Sequence, residues 1–245
     1  MDTTLIKGLR VLETLANSTD PLSLAEIAAA TELGKSNAHR VLKTLVHCGY
    51  ARQDAVTARY QCTLKMWKFG CRISDNMDLR GIARPHLRRL SEMTSQTVHL
   101  AIYEGEEVTY IEKIDGLEPI VAYSRLGGGG PLHCSACGKA MLAFAPDDVV
   151  ARASKTLRRF TPNTIVDPAR LAKEIQTIRR QGYAVTRGEW HEAMSGIAAP
   201  IFARQNVVIA AVGVFGLLAR MTSARLREYA PLVIGTAQAI SREIA

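Results

Sequence analysis

The chain lacks what several broad classes of protein need. No apolar run in its 245 residues reaches the ~18 that a membrane span requires. The first residues carry no apolar core of the kind a secretory leader uses. Cysteine is sparse and odd in number, with five residues (Cys48, Cys62, Cys71, Cys134, Cys137), which does not suit a secreted disulfide framework. Aromatic residues make up only 6%, and two tryptophans, Trp67 and Trp190, are too few for a platform that stacks bases. Repeats and low-complexity segments are missing apart from Gly127–Gly130. The expectation is a chain without leader or anchor, working in a reducing cytoplasm.

What is present begins with composition: 47% hydrophobic and 22% charged residues, a balance that builds packed domains. At this length either one large domain or two ordinary ones can bury a core. The formal net charge of +8 favours an acidic partner such as nucleic acid. That excess is spread out, since residues 1–69 carry only about +3 of it. A basic total therefore needs a focused surface before it means anything.

Ser23 to Tyr50 offers such a surface. Leu24, Ile27 and Ala28 form one apolar face at helical spacing, Leu33-Gly34 interrupts it, and Val41, Leu42, Leu45 and Val46 form a second. Ser23 and Ser36 are placed to cap the two helix starts, with Glu26 completing a capping box on Ser23. The outward side of the second helix carries Lys35, Ser36, Asn37, His39, Arg40 and Lys43. A short helix, a turn and a polar, basic second helix is the arrangement by which a helix-turn-helix enters the major groove. There Asn37 and Arg40 suit base edges, and the other four suit phosphates. Ahead of this stretch, Leu5, Leu9, Leu12 and Leu15 with Ile6 and Val11 predict a first amphipathic helix. After it, Tyr50–Gln53 and Arg59–Cys62 predict a two-stranded wing. Arg52 and Arg59 flank that hairpin, either to meet phosphate backbone or as ordinary solvated arginines.

Leu64, Trp67, Phe69, Ile73 and Met77 predict a linker helix over 64–78, between a DNA-binding domain at 1–63 and a second domain at 79–245. Asp78–Ser95 reads as a helix with Ile82, Leu87, Leu90 and Met93 inward, kinked or restarted at Pro85. Its arginines, Arg80, Arg84, Arg88 and Arg89, read as a solvated face. From Thr97 the period becomes two: strands are expected over 98–102, 108–114 and 120–123. Helices follow over 135–144, 147–155 and 167–181, then strands over 183–186, 197–202 and 207–215, and a closing helix over 222–243. Antiparallel hairpins mixed with helices define an α+β domain.

These segments, in their order, resemble the IclR family of bacterial transcriptional regulators. The resemblance covers nearly the whole chain: LSLAEIAAATELGKSNAHRVLKTLVHCGY, then ARPHLRRLSEMTSQTVHLAIYEGEEVTYIEKI, GGGGPLHCSACGKAMLA, IRRQGYAV and GIAAPIFARQNVVIAAVGVFG. It implies a winged helix-turn-helix joined by a linker helix to an α+β effector-binding domain. It also implies a homodimer or dimer of dimers on a near-palindromic double-stranded DNA operator. Such a regulator, expected to repress catabolic genes, responds to a small-molecule effector without a cofactor.

By the same resemblance the effector site falls on Ala122, Ala136, Cys137, Gly138, Thr186, Met194, Gly196, Gly213 and Phe215. The small residues Ala136, Cys137 and Gly138 would let backbone N–H groups approach a ligand anion. Thr186 stands where several relatives are acidic, Gly196 where a cysteine is frequent, and Gly213 and Phe215 where relatives that bind small acids carry serines. Fewer polar groups and two glycines imply a roomier, less polar pocket. That suits an aromatic or hydrophobic carboxylic acid held at the Cys137 and Gly138 amides.

Cys134-Ser-Ala-Cys137, preceded by His133, also admits a second reading, a thiol- or metal-responsive regulator. A structural zinc site wants four ligands, and neither a second Cys-x-x-Cys nor a paired-His motif is present. HCSACGKA lacks the first glycine and the Ser/Thr of a phosphate-binding loop, and His191-Glu192 lacks the second histidine of a zinc protease. Glu189, His191 and Glu192 instead read as a loop near the pocket mouth. Nothing assembles a nucleophile, a base and an oxyanion hole, so no enzyme is expected.

Overall fold

The computed structural model describes residues 2–75, 78–105, 107–117 and 125–244. The chain divides into two compact units, Met1–Met77 and Asp78–Ala245.

The first unit packs three helices, α1 (Thr3–Asn17), α2 (Leu24–Ala30) and α3 (Lys35–His47), beside a hairpin of β1 (Ala51–Gln53) and β2 (Tyr60–Cys62). Its core is Val11, Leu15, Ile27, Val41, Leu42, Ala51 and Tyr60. Ser23 caps α2 in a full capping box: its Oγ accepts from the Glu26 amide, and the Glu26 carboxylate accepts from the Ser23 amide. Ser36 does not cap α3. Gly34 occupies that position with no side-chain bond, and Ser36 lies within the first turn. The helix α4 (Lys65–Asp75) is fastened to this unit at its start. Lys65 Nζ donates to the Cys48 carbonyl at 2.7 Å and sits 4.2 Å from the Tyr50 ring centre.

Two apolar faces of this unit stay uncovered. On α1 only Val11 and Leu15 are buried, while Leu5 and Leu9, which the periodicity marks as inward, are exposed. On α4, Trp67 is 68% exposed. An amphipathic pattern says that a face wants covering, and no described element of its own unit covers it.

The second unit is built on six described strands, all antiparallel, in the order β5 (Gly129–Pro131), β4 (Glu107–Ile114), β3 (Thr97–Glu104), β8 (Val208–Leu217), β7 (Met194–Phe202), β6 (Ala184–Arg187). Side chains alternate between two cores because a strand's period is two. Val98, Leu100, Ile197, Val212 and Val214 point to one face, under α5 (Asp78–Thr94) and α9 (Ser223–Ile244). Ala101, Ala198, Ala211 and Phe215 point to the other, under α6 (Ala136–Leu142), α7 (Asp147–Lys155) and α8 (Pro168–Gln181). Between β3 and β4 the register slips: Leu100 faces Glu112 and Ala101 faces Tyr110, passing over Ile111. The slip puts Tyr110 on the face shared with Ala101.

Two expectations change here. Helix α5 runs through Pro85 unbroken, and both Pro85 and Gly81, whose carbonyl the proline leaves unbonded, are exposed. Its buried stripe is Ala83, Leu87, Leu90 and Thr94, which turns Met93 outward. The glycine run enters the sheet as β5. The expected strand over 120–123, and with it Ala122, lies outside the described residues.

Candidate nucleic-acid interface and effector cleft

On α3, burial separates the two faces cleanly. Ala38, Val41 and Leu42 are buried, while Lys35, Ser36, His39, Arg40 and Lys43 are exposed and Asn37 is half-buried. Arg40 Nη2 donates to Asn37 Oδ1 at 3.0 Å, so the two polar side chains stand ordered together on the outer face. Arg52 on the wing is exposed. Arg59 is not free in the same way. Its Nη1 donates to the Pro21 carbonyl at 2.8 Å and pairs with Glu26 at 3.0 Å, tying the wing to the start of α2. The Glu26 carboxylate so engaged is held below its usual range, first by the Ser23 amide and then by the Ser23 hydroxyl.

In the second unit a cleft opens on the sheet face that carries α6. Its floor is His99, Tyr110 and Phe215 from β3, β4 and β8. One wall is the start of α6, with Cys134, Ser135 and Ala136. The opposite wall comes from β6, β7 and the turn between them: Thr186, Glu189, Trp190, His191, Met194 and Ser195. The empty space is about 450 Å³ including the open mouth, but it is narrow. The centre of a water molecule can reach only about 30 Å³ of it, room for about two waters.

Four of the effector positions expected from sequence therefore meet in the cleft: Ala136, Thr186, Met194 and Phe215. Four others do not line it. Cys137 is wholly buried in the core beneath. Gly138 gives its amide to Ser135 Oγ at 3.1 Å, and a Cβ there would lie 2.5 Å from the Leu132 carbonyl oxygen. Its small size serves the packing of α6, not the approach of a ligand. Gly196 and Gly213 give no extra room. A Cβ at Gly196 would lie 2.5 Å from Phe215 Cδ1, and one at Gly213 would lie 2.7 Å from Phe215 Cε2. The two glycines are the seat of the Phe215 ring.

Polar groups line the cleft more richly than the motif positions suggest. His99 is 1% exposed, stacks on Tyr110 with ring centres 4.3 Å apart, and meets Phe215 at 4.8 Å. Burial, helped by the Lys113 ammonium, lowers its imidazole to about 3, so it is neutral. Glu189 pairs through Oε1 with the buried Lys139 at 2.8 Å, and Lys139 also holds Glu174 at 2.9 Å. Burial raises the Glu189 carboxyl, with Lys139 opposing the rise. Thr164 Oγ1 donates to the Glu189 carbonyl at 2.6 Å and fixes the turn. Trp190 lies against Gly130, where any side chain would collide with its ring. His99 and Tyr110 are legible in the sequence only as alternating strand residues. The register slip that faces Tyr110 into the cleft carries no sequence signal. An acid does stand in the cleft, at Glu189 rather than at Thr186.

The thiols are poorly placed for chemistry. Burial pushes Cys134 up to about 12 and Cys137 higher still, so neither supplies a ready thiolate. Among the described residues, no three His, Cys, Asp or Glu side chains gather as a metal site.

A three-helix unit with an exposed polar helix and a wing, followed by an α+β unit with a side-chain-lined cleft, defines a transcriptional regulator with a ligand-sensing domain. Residues 4–55 match the IclR helix-turn-helix domain, and residues 71–242 match the bacterial transcriptional regulator IclR C-terminal domain. The chain belongs to the IclR family. The HTH-type transcriptional regulator KdgR of Escherichia coli is 31% identical over 98% of this chain and 91% of its own length. The crystal structure of the Thermotoga maritima IclR matches all of this chain and 99% of its own, with a TM-score of 0.80 and 31% identity. An IclR homolog from Microbacterium hydrocarbonoxydans, complexed with 4-hydroxybenzoate, matches 99% of both chains with a TM-score of 0.83 and 27% identity. The protein is accordingly a DNA-binding transcriptional regulator with a C-terminal effector domain, not an enzyme. No described helix is long and apolar enough to cross a membrane.

Proposed function

We propose that this regulator represses catabolic genes in the cytoplasm by binding a near-palindromic operator as a homodimer or dimer of dimers. The reading rests above all on the outer face of α3. Its buried stripe leaves Lys35, Ser36, His39, Arg40 and Lys43 outward, with Asn37 tied to Arg40. Asn37 and Arg40 read base edges, and the other four hold phosphates and set register. Arg52 adds a wing contact; Arg59 acts mainly by holding the wing in place. Self-association is supported by the uncovered apolar faces of α1 and α4, which a second copy can bury. Selection of bound sequences from a random DNA library tests this. Enrichment of an inverted repeat is expected, and the same selection with Arg40→Ala should lose the preference at the base that Arg40 reads. A wild-type selection without any consensus refutes it.

The effector in this reading is an aromatic or other hydrophobic carboxylic acid seated in the cleft of the second unit. The rings of Tyr110, Phe215 and Trp190 with Met194 supply an apolar wall for a flat body. A relative of the same fold carries 4-hydroxybenzoate. With the Gly138 amide already bonded to Ser135, the carboxylate lies toward the open mouth instead. Because the cleft is narrow, entry of a ring requires Phe215 or Trp190 to turn aside. Stabilisation in a thermal-shift screen by aromatic acids supports this. Stabilisation only by small polar acids such as glyoxylate overturns it.

A further inference from the structure

Three buried polar atoms in the cleft have no hydrogen-bond partner among the described residues: Nδ1 and Nε2 of His99 and Oε2 of Glu189. Neither side chain is loose. His99 packs against the rings of both Tyr110 and Phe215, and Glu189 is held through its other oxygen by Lys139. Buried polar groups in folded proteins are nearly always paired, and those that are not call for a reason. Here the unpaired atoms belong to two residues that line one cleft, one on its floor and one on its wall. A core histidine kept only for packing would be served as well by phenylalanine, which has no polar atoms to strand.

We propose that His99 and Glu189 are the specificity-determining pair of this cleft, and that the effector presents hydroxyl groups to them. The proposal rests on the cleft being the effector site, as argued above. The chemistry follows from what each atom can exchange. A neutral imidazole offers one N–H donor and one bare nitrogen acceptor, and a carboxylate oxygen only accepts. Together they ask for two donors and one acceptor. A hydroxyl does both, so a ring carrying two hydroxyls satisfies the whole set and a ring carrying one satisfies two of its three atoms. A carboxylate at this end would meet the charge of Glu189 and offer it no proton. An ammonium would suit Glu189 but leave the imidazole N–H unmatched. The stacked rings beside His99 select a flat, unsaturated carrier. The hydroxyl end therefore points inward, and an acid group on the same ring points to the mouth.

Isothermal titration of the full chain with benzoate, 4-methoxybenzoate, 4-hydroxybenzoate, phenol and catechol tests this. The hydroxylated probes should bind at least tenfold more tightly than their counterparts without a free hydroxyl, because a site built to bond a hydroxyl rejects the analogue lacking it. In His99→Phe, with folding checked by circular dichroism, the preference should shrink to within about threefold. His99→Asn, which keeps a donor and an acceptor, should retain part of it. Equal affinities across the series, or a preference that survives in His99→Phe, overturn the hydroxyl assignment and leave the aromatic-acid reading standing. Binding of phenol and catechol but of no benzoate overturns the acid reading and supports this one. Binding of no probe overturns both.

Discussion

Acidification from pH 7 to pH 5 is expected to cost the effector domain about 2 kcal/mol through one side chain, His99. Its imidazole has an ordinary value of 6.5 and is lowered to about 3 in the fold, by burial first and by Lys113 second. Below pH 6.5 the unfolded chain takes up a proton that the folded protein refuses until about pH 3. Stability therefore rises with pH across that window and is fully present above 6.5. At pH 5 the gap is about 1.5 pH units, each worth about 1.4 kcal/mol; at pH 4 the loss is about 3 kcal/mol. Other groups titrate over the same range, so the informative quantity is a difference between two proteins. His99→Phe keeps a ring beside Tyr110 and Phe215 but has no proton to bind. Urea unfolding of both proteins at pH 7 and pH 5, at one protein concentration, should show the wild type losing about 2 kcal/mol more than the variant. Equal losses, or an imidazole that titrates by NMR near 6.5, would refute the reasoning.

Four more outcomes are expected. Arg40→Ala should weaken operator binding by about 10- to 100-fold, the scale of one bidentate base contact, with an unchanged melting curve; fluorescence anisotropy measures it. Ser23→Ala should destabilise the first unit by about 1 kcal/mol through loss of the α2 cap, seen in the thermal midpoint. Gly196→Ala should cost about 1–3 kcal/mol because its Cβ meets the Phe215 ring, and most of that cost should vanish in a Phe215→Ala background, by a double-mutant cycle in urea. Lys139→Met should cost about 3–5 kcal/mol, since it leaves Glu189 buried without its cation; denaturant unfolding reports it.

The corrections share a cause. Periodicity assigns a residue to a face of its own element, and that sufficed for Val41 and Leu42 of α3, though not for Val46 of the same expected face, which is exposed, and for α8, whose inward residues Leu171, Ile175 and Ile178 are buried as expected. It does not say what lies across from that face. Leu5, Leu9 and Met93 read as core from their own helices, yet no described element of their unit covers them, and all three are exposed. Gly196 and Gly213 suggest space, and whether space exists depends on a ring two strand positions from one glycine and on the neighbouring strand for the other. Phe215 occupies it. Arg59 reads as a free cation because its partners, Pro21 and Glu26, lie more than thirty residues earlier.

What the sequence alone determined is the local grammar of this protein. The capping box at Ser23, the apolar stripe of α3 and the alternation of β3 each depend on neighbours a few residues away, and together they sufficed for the helix-turn-helix and the α+β domain. What only the tertiary structure decided is the cleft. His99, Tyr110 and Phe215 come from three strands, and the opposing wall with Glu189 comes from a turn some ninety residues after His99. The two unpaired side chains gain their meaning only when sheet register and the Lys139 ion pair bring them to one space. Hydrogen-bond vacancy is a relation between distant residues, and no window of sequence contains it.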